Sequence, residues 1–302
     1  MHEHNHKFNN NQSNEKKLLI SIFINLTITI AEIIGGIISG SLALLSDSFH
    51  NLSDVFALLI SYFAILIGKK EKDSKKSFGY KRAEIIAALF NVIVLIIICG
   101  YIVYEAIKRI KNPESINTNL MLIIAFIGFA GNGISVLLLF KNSNANINIK
   151  SAFLHLLADT ISSVAVIIVA IIMLFKPIYI LDTILSVLIA LYIIKESFSI
   201  LIQSLNILMQ ATPPGYDYEK IKKCLLNDTT LKIKNMHHLH IWEITPGQTV
   251  FDAHIVINKN ELVNADEIIY NINNILLKEF NICHSTIQLE SENFNHCTSC
   301  DL

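Results

Sequence analysis

The sequence predicts an α-helical membrane domain of six transmembrane helices followed by a small C-terminal α+β domain, and three observations carry that reading. Hydrophobic residues make up 52% of the 302 positions and charged residues only 16%, too few to solvate an ordinary globular surface. The apolar excess lies almost wholly before residue 208. After it, short helical and alternating patterns return. The formal net charge of -1 supplies no basic surface for nucleic acid, and five Cys without repeated spacing give no disulfide framework. Nucleic-acid-binding, secreted and disordered classes fall away.

A bilayer crossing needs roughly 20 apolar residues, and six such stretches lie at 18–39, 42–67, 84–107, 119–140, 151–175 and 178–203. The first is longer than a signal-peptide core, carries Glu32 and Gly35-Gly36, and lacks a convincing cleavage site, so it counts as a span. Residues 1–17 read as a flexible polar N-terminus in which His2, His4 and His6 form a weak metal-capture signal. Twelve Lys and Arg precede span one or lie between spans two and three and between spans four and five; the alternate loops hold four. Cytoplasmic loops collect positive charge, so both termini are expected in the cytoplasm. In that reducing compartment the cysteines are metal ligands or buried thiols.

The tail, 208–302, opens with Pro213-Pro214-Gly215 as a linker. A helix is expected over 216–226, paired strands over 233–244 and 250–257 around Pro246-Gly247, a second helix over 265–279 and a last strand over 285–289. The order αββαβ suits a ferredoxin-like open sheet, whose modest core dimerisation would supplement.

The chemistry lies in charged residues that membrane spans should not contain, since each costs at least about 2.5–3.5 kcal/mol at membrane depth. Span two carries His50 and Asp54, span five His155 and Asp159, each pair spaced His-x-x-x-Asp. That spacing stacks imidazole and carboxylate on one helix face. Two such helices offer two nitrogens and two oxygens, a tetrahedral set that Zn²⁺ accepts, and the lack of thiolate argues against copper(I). One pair alone would equally suit hydrogen bonding between helices. Two pairs of identical spacing need a shared reason. Spans two and five run in opposite directions, compatible with inverted halves meeting at the site. Asp47 sits three residues before His50 and reads as a proton relay, an approach ligand or a helix-end residue. Glu84 and Glu105 read as structural partners of nearby Lys and Arg, Asp182 as the N-cap of span six, and Glu32 as an open functional candidate.

These residues resemble the cation diffusion facilitators, in particular their zinc branch. Beyond the paired motif the likeness rests on Ser41 to His50 (SLALLSDSFH), Phe78 to Glu84 (FGYKRAE), Ala152 to His155 (AFLH) and His237 to Trp242 (HHLHIW). The resemblance implies a homodimer with six spans per protomer, a transport site made by His50, Asp54, His155 and Asp159, and export of cytoplasmic zinc against protons by alternating access. Neutral His and ionised Asp are the metal-binding forms, so protons and Zn²⁺ compete for the same four side chains. In that family the cytoplasmic domain binds regulatory zinc. His237 and His254 match its recurring histidines, while Glu290 and Cys297-x-x-Cys300 resemble the C-terminal segment of the vesicular branch. Two thiolates need two further ligands to hold zinc, and a frayed tail with free thiols is the plainer alternative. His238 and His240 read as strand surface or interface residues.

Two other classes compete. An intramembrane zinc enzyme would keep a coordination position open for water and a general base nearby, and neither is present in the motif. A membrane-anchored zinc sensor would leave the costly intramembrane ligands unexplained. The expected partners are divalent metal ions, membrane lipid and a second copy of the chain, with no nucleic acid. The Lys-, Asn- and Ile-rich composition and compact loops suggest a bacterial plasma membrane.

Overall fold

The computed structural model describes residues 23, 25–68, 73–140 and 147–292. Six helices come first, with α1 described over Asn25–Ser39, followed by α2 Leu42–Gly68, α3 Ala83–Lys111, α4 Thr118–Phe140, α5 Ile147–Phe175 and α6 Ile180–Leu208. Among the described residues, Ala83–Lys111, Thr118–Leu137, Leu156–Phe175 and Ile180–Leu208 are long and apolar enough to cross a membrane. Helix α5 starts before the apolar stretch that announces it and α6 outlasts its own. A helix satisfies its backbone internally, so its ends run on past the apolar residues.

The described residues fall into two compact units, one drawn from 23–62 and 90–201, the other from 63–89 and 202–292. In the first, the helices are apolar on outward and inward faces alike. Helix α3 buries Val92, Leu95, Cys99, Ile102 and Ala106 while exposing Phe90, Ile97, Tyr101 and Tyr104, the pattern of a helix bathed in lipid. Leu95, Cys99 and Ile102 pack on Ala190 and Ile193 of α6. Ala43 and Leu44 of α2 join Met121 and Ala125 of α4 and Val166, Ala170 and Met173 of α5. Small residues permit close approach: a methyl added at Gly35 of α1 would lie 2.5 Å from Ile124 of α4.

Asp182 does not cap its own helix. It lies in the first turn of α6, and its fully buried carboxylate accepts from the Ser41 hydroxyl at 2.5 Å and from the backbone N–H of Leu42 and Ala43 at 2.9 and 3.4 Å. Those are first-turn donors of α2, which have no partner within their own helix. An anion there also meets the positive end of the helix dipole. Nearby, Arg109 at the end of α3 donates to the carbonyl of Gly40, which turns the chain between α1 and α2 at φ 76°, and pairs with Glu105 at 3.5 Å and Glu114 at 3.0 Å.

In the second unit the tail forms α7 Tyr218–Asn227, β1 Ile233–Glu243, β2 Thr249–Ile257, a 3-10 turn Lys259–Asn264, α8 Ala265–Phe280 and β3 His284–Ser291. Asp217 caps α7, accepting from the N–H of Glu219 and Lys220. Strands β1 and β2 pair antiparallel, and β3 joins β2 in parallel, so β2 is central in a three-stranded sheet. Met236, Leu239, Phe251, Ala253, Ile255 and Ile257 face Ile221 and Leu225 of α7 and Ile268, Ile272 and Leu276 of α8. The i, i+4, i+8 stripe on α8 is the seam that binds it to the sheet. Within the same unit, Lys81 of the α2–α3 loop donates to Gln248 in the β1–β2 turn at 2.8 Å, and Phe78 meets the His284 ring edge-on at 6.4 Å.

Replacing the fully buried Asp182 by Ala removes the acceptor of the α2 donors, a loss of about 1–3 kcal/mol for each donor left bare. The expected outcome is a clearly lower midpoint of thermal unfolding in detergent, with Asp182→Asn falling between the variant and the parent.

Candidate functional site

Helix α2 carries Asp47, His50, Asn51 and Asp54 at i, i+3, i+4 and i+7, one continuous face. Along it, His50 Nδ1 lies 3.7 Å from Asp54 Oδ2, both side chains partly buried. Two donors on one tetrahedral metal with bonds of about 2.0–2.2 Å stand roughly 3.3–3.6 Å apart, so the pair needs only a small closure to chelate. Helix α5 carries His155 and Asp159 with the same spacing. Asp159 is buried. His155 falls one turn before it on the helix, and its side chain lies outside the described ones.

The two motif helices meet. Ser162, three residues beyond Asp159 on α5, donates its hydroxyl to Asp47 Oδ1 of α2 at 2.6 Å. Asp47 is buried and its carboxylate sits on the α5 side of α2, so the described structure gives it a helix-joining contact. Glu32 of α1 is 1% exposed. Its Oε2 accepts from the Asn51 side chain at 3.1 Å, and Asp47 and Asp159 are its electrostatic neighbours. Gly128 of α4 makes room for the other oxygen: a methyl there would lie 2.2 Å from Glu32 Oε1. Three acids from α1, α2 and α5 therefore gather in one polar region among apolar helices. Ser162, Asn51 and Gly128 went unnoticed in the sequence. Asn51 lies within the motif itself and Ser162 one turn past the other, the only signals that single them out.

The second cluster is in the tail. His237 on β1 and His254 on β2 are directly paired across the ladder, and Glu290 on β3 pairs with Val256, two residues along from His254 on the same face. Register alone thus brings the three side chains together. Glu290 Oε1 is 2.7 Å from His254 Nδ1 and Oε2 is 3.4 Å from His237 Nε2. One ligand atom from each residue lies within 4.8 Å of the others. Two imidazoles and a carboxylate are a donor set that zinc accepts, so these residues fit a bound metal. Gln288 steadies the carboxylate, donating to Glu290 Oε1 at 2.9 Å. Cys283 and His284 are exposed at the start of β3. Cys297 and Cys300, like His2, His4 and His6, lie outside the described residues.

Residues 18–209 match the cation efflux transmembrane domain, and residues 213–292 match the cytoplasmic domain of cation efflux proteins. The chain belongs to the cation diffusion facilitator family. A cadmium, cobalt and zinc/H(+)-K(+) antiporter of Bacillus subtilis is 37% identical over 97% of this chain and 93% of its own length. The metal cation efflux system protein CzcD of Cupriavidus metallidurans is 37% identical over 96% of this chain and 89% of its own. Zinc transporter ZitB of Pectobacterium atrosepticum is 34% identical over 98% and 92%. This facilitator is therefore a multi-pass membrane transporter of cations and not an enzyme, with a helical membrane domain and a cytoplasmic domain built on a small sheet.

Gly128→Ala and Gly133→Ala make the same chemical change on one helix, each favouring helix by up to about 1 kcal/mol. Only the first collides with a neighbour, whereas Gly133 has nothing within 4 Å. Gly128→Ala is expected to unfold at lower temperature in detergent than Gly133→Ala, which should equal or exceed the parent.

Proposed function

We propose that the chain exports a divalent cation, Zn²⁺ foremost, from the cytoplasm in exchange for protons. The transport site is His50, Asp54, His155 and Asp159. The observation that carries this reading is the hydrogen bond from Ser162 to Asp47, which joins the two motif helices one turn from both metal-binding pairs. Buried acids crowded together need positive charge, and a metal ion or protons can supply it in turn. Occupancy by one excludes the other, which is the physical basis of exchange. The names of the relatives, antiporter, efflux protein and zinc transporter, support both the metal and the counter-ion.

Residues 18–207 form the transport domain on this reading, with six spans per protomer and the site opening alternately to each side. Asp47 is an auxiliary group that orients α5. Residues 208–302 form an abbreviated ferredoxin-like domain in the cytoplasm. The Lys-rich α2–α3 loop hydrogen-bonds to that domain's β1–β2 turn through Lys81, which supports a shared cytoplasmic side for both. Both termini face the cytoplasm, the membrane is a bacterial plasma membrane, and the chain works as a homodimer, in keeping with the matched cytoplasmic domain. His237, His254 and Glu290 bind a regulatory zinc, and Cys297 and Cys300 at the chain end are a separate dithiol pair for cytoplasmic zinc.

Proteoliposomes with an acidic lumen should take up Zn²⁺, because protons entering the site from the lumen displace the metal there. Asp54→Ala and Asp159→Ala are each expected to reduce uptake to that of protein-free liposomes. Uptake that persists in both variants, or that ignores the pH gradient, would overturn the assignment of the site or of the counter-ion respectively.

A further inference from the structure

We infer that His238 is a metal ligand, the third imidazole of a four-donor centre with His237, His254 and Glu290; the inference rests on the regulatory zinc site proposed above and completes its ligand set. Adjacent residues of a regular strand point to opposite faces of the sheet. His237 and His238 do not, because β1 is irregular there. The ladder pairs His237 with His254 and then His240 with Asp252, three residues advancing on β1 against two on β2. One extra residue has been inserted, and such a bulge re-aims side chains. The core confirms it: Met236 and Leu239, three apart, both face the helices. A regular strand would have sent His238 into that core.

The backbone of His238 is left-handed, with φ of 48°, a conformation that non-glycine residues hold at some cost and that collects at functional positions. What the distortion achieves is visible in the rings. The His238 ring centre lies 5.3 Å from that of His237 and 5.0 Å from that of His254, and the last two are 5.2 Å apart. An imidazole bound through one nitrogen places its ring centre about 3.2 Å from zinc, so two rings at a tetrahedral angle stand about 5.2 Å apart. All three separations agree with that figure. Glu290 reaches His237 and His254 from β3, one ligand atom of each of the three lying within 4.8 Å of the others, and a turn of the neighbouring His238 ring would bring its nitrogen in as the fourth donor. Three neutral imidazoles and one carboxylate give a closed tetrahedral set, the arrangement of a structural or regulatory zinc and not of a catalytic one.

The test uses the full chain in detergent, carrying Asp54→Ala and Asp159→Ala to silence the transmembrane site. Zn²⁺ affinity is measured by competition with a chromophoric chelator, and coordination by the visible absorption of the Co²⁺-loaded protein. His238→Asn retains a residue that tolerates positive φ. It is expected to weaken binding by at least about 10–100-fold, the loss that even outer-shell changes bring, and to reduce the Co²⁺ band intensity as water replaces the ring. His240→Asn, an exposed position on the same strand, should change neither. His238→Gly repeats the measurement in a residue free of backbone strain should the Asn variant fold poorly. If His238→Asn and His238→Gly bind like the parent while His254→Ala loses the metal, the role of His238 is overturned and the regulatory site stands. If none of the three, His254→Ala included, alters binding, both fall together.

Discussion

Lipid offers no hydrogen-bond partner, so a polar atom carried to membrane depth has to be satisfied by its own helix or by another one. The two solutions divide the polar residues here. Thr160, Ser163 and Ser186 turn their hydroxyls back to carbonyls of their own helices, and Ser46 does so while also reaching the Ser186 carbonyl of α6 at 3.5 Å. Asp47, Glu32, Asp182 and Asn91 cannot close locally and reach across. Their partners are Ser162 on α5, Asn51 on α2, the start of α2, and Ser53 on α2. Helix α2 takes part in all four. The helix that carries one metal-binding pair is thus the one to which polar side chains tie its neighbours.

The tail meets a different solvent with a different division. Helices α7 and α8 both cover one face of the sheet, and the second face is left to His237, His254 and Glu290. Packing and metal chemistry therefore do not compete for the same positions. Each strand gives one set of alternate residues to the core and the other to the site. Strand β1 breaks that alternation between Ile233 and Asn235 and again between His237 and His240, and the second break adds a histidine to the polar face without removing an apolar residue from the core.

Much of this was legible in the sequence because the periodicities are strong. The apolar stretches and the αββαβ order emerge from hydropathy and turn residues alone, and the repeated His-x-x-x-Asp needs only the geometry of a helix. Three features escaped for physical reasons. The partner of Asp182 is 140 residues away at the start of α2, and a residue's distance along the chain says nothing of which helix end it faces. The bulge was present as a phase slip, with apolar residues at 236, 239 and 241 where strict alternation would give 237 or 238. Read as an ordinary strand, that slip hides the bulge, which leaves His238 out of the ladder while His240 pairs with Asp252. The Ser162 contact depends on how α2 and α5 are rotated against each other, which no single-helix pattern encodes.

The clasp at Asp182 has a mechanical consequence. Pulling the start of α2 away from α6 would uncover a buried carboxylate and two backbone donors at once, and Arg109 ties the preceding turn to the end of α3 in the same way. That end of the bundle behaves as a pivot. On the transport reading proposed above, helix tilts that change access to the polar region would swing about it, with displacement growing toward the opposite ends of α2, α3 and α6.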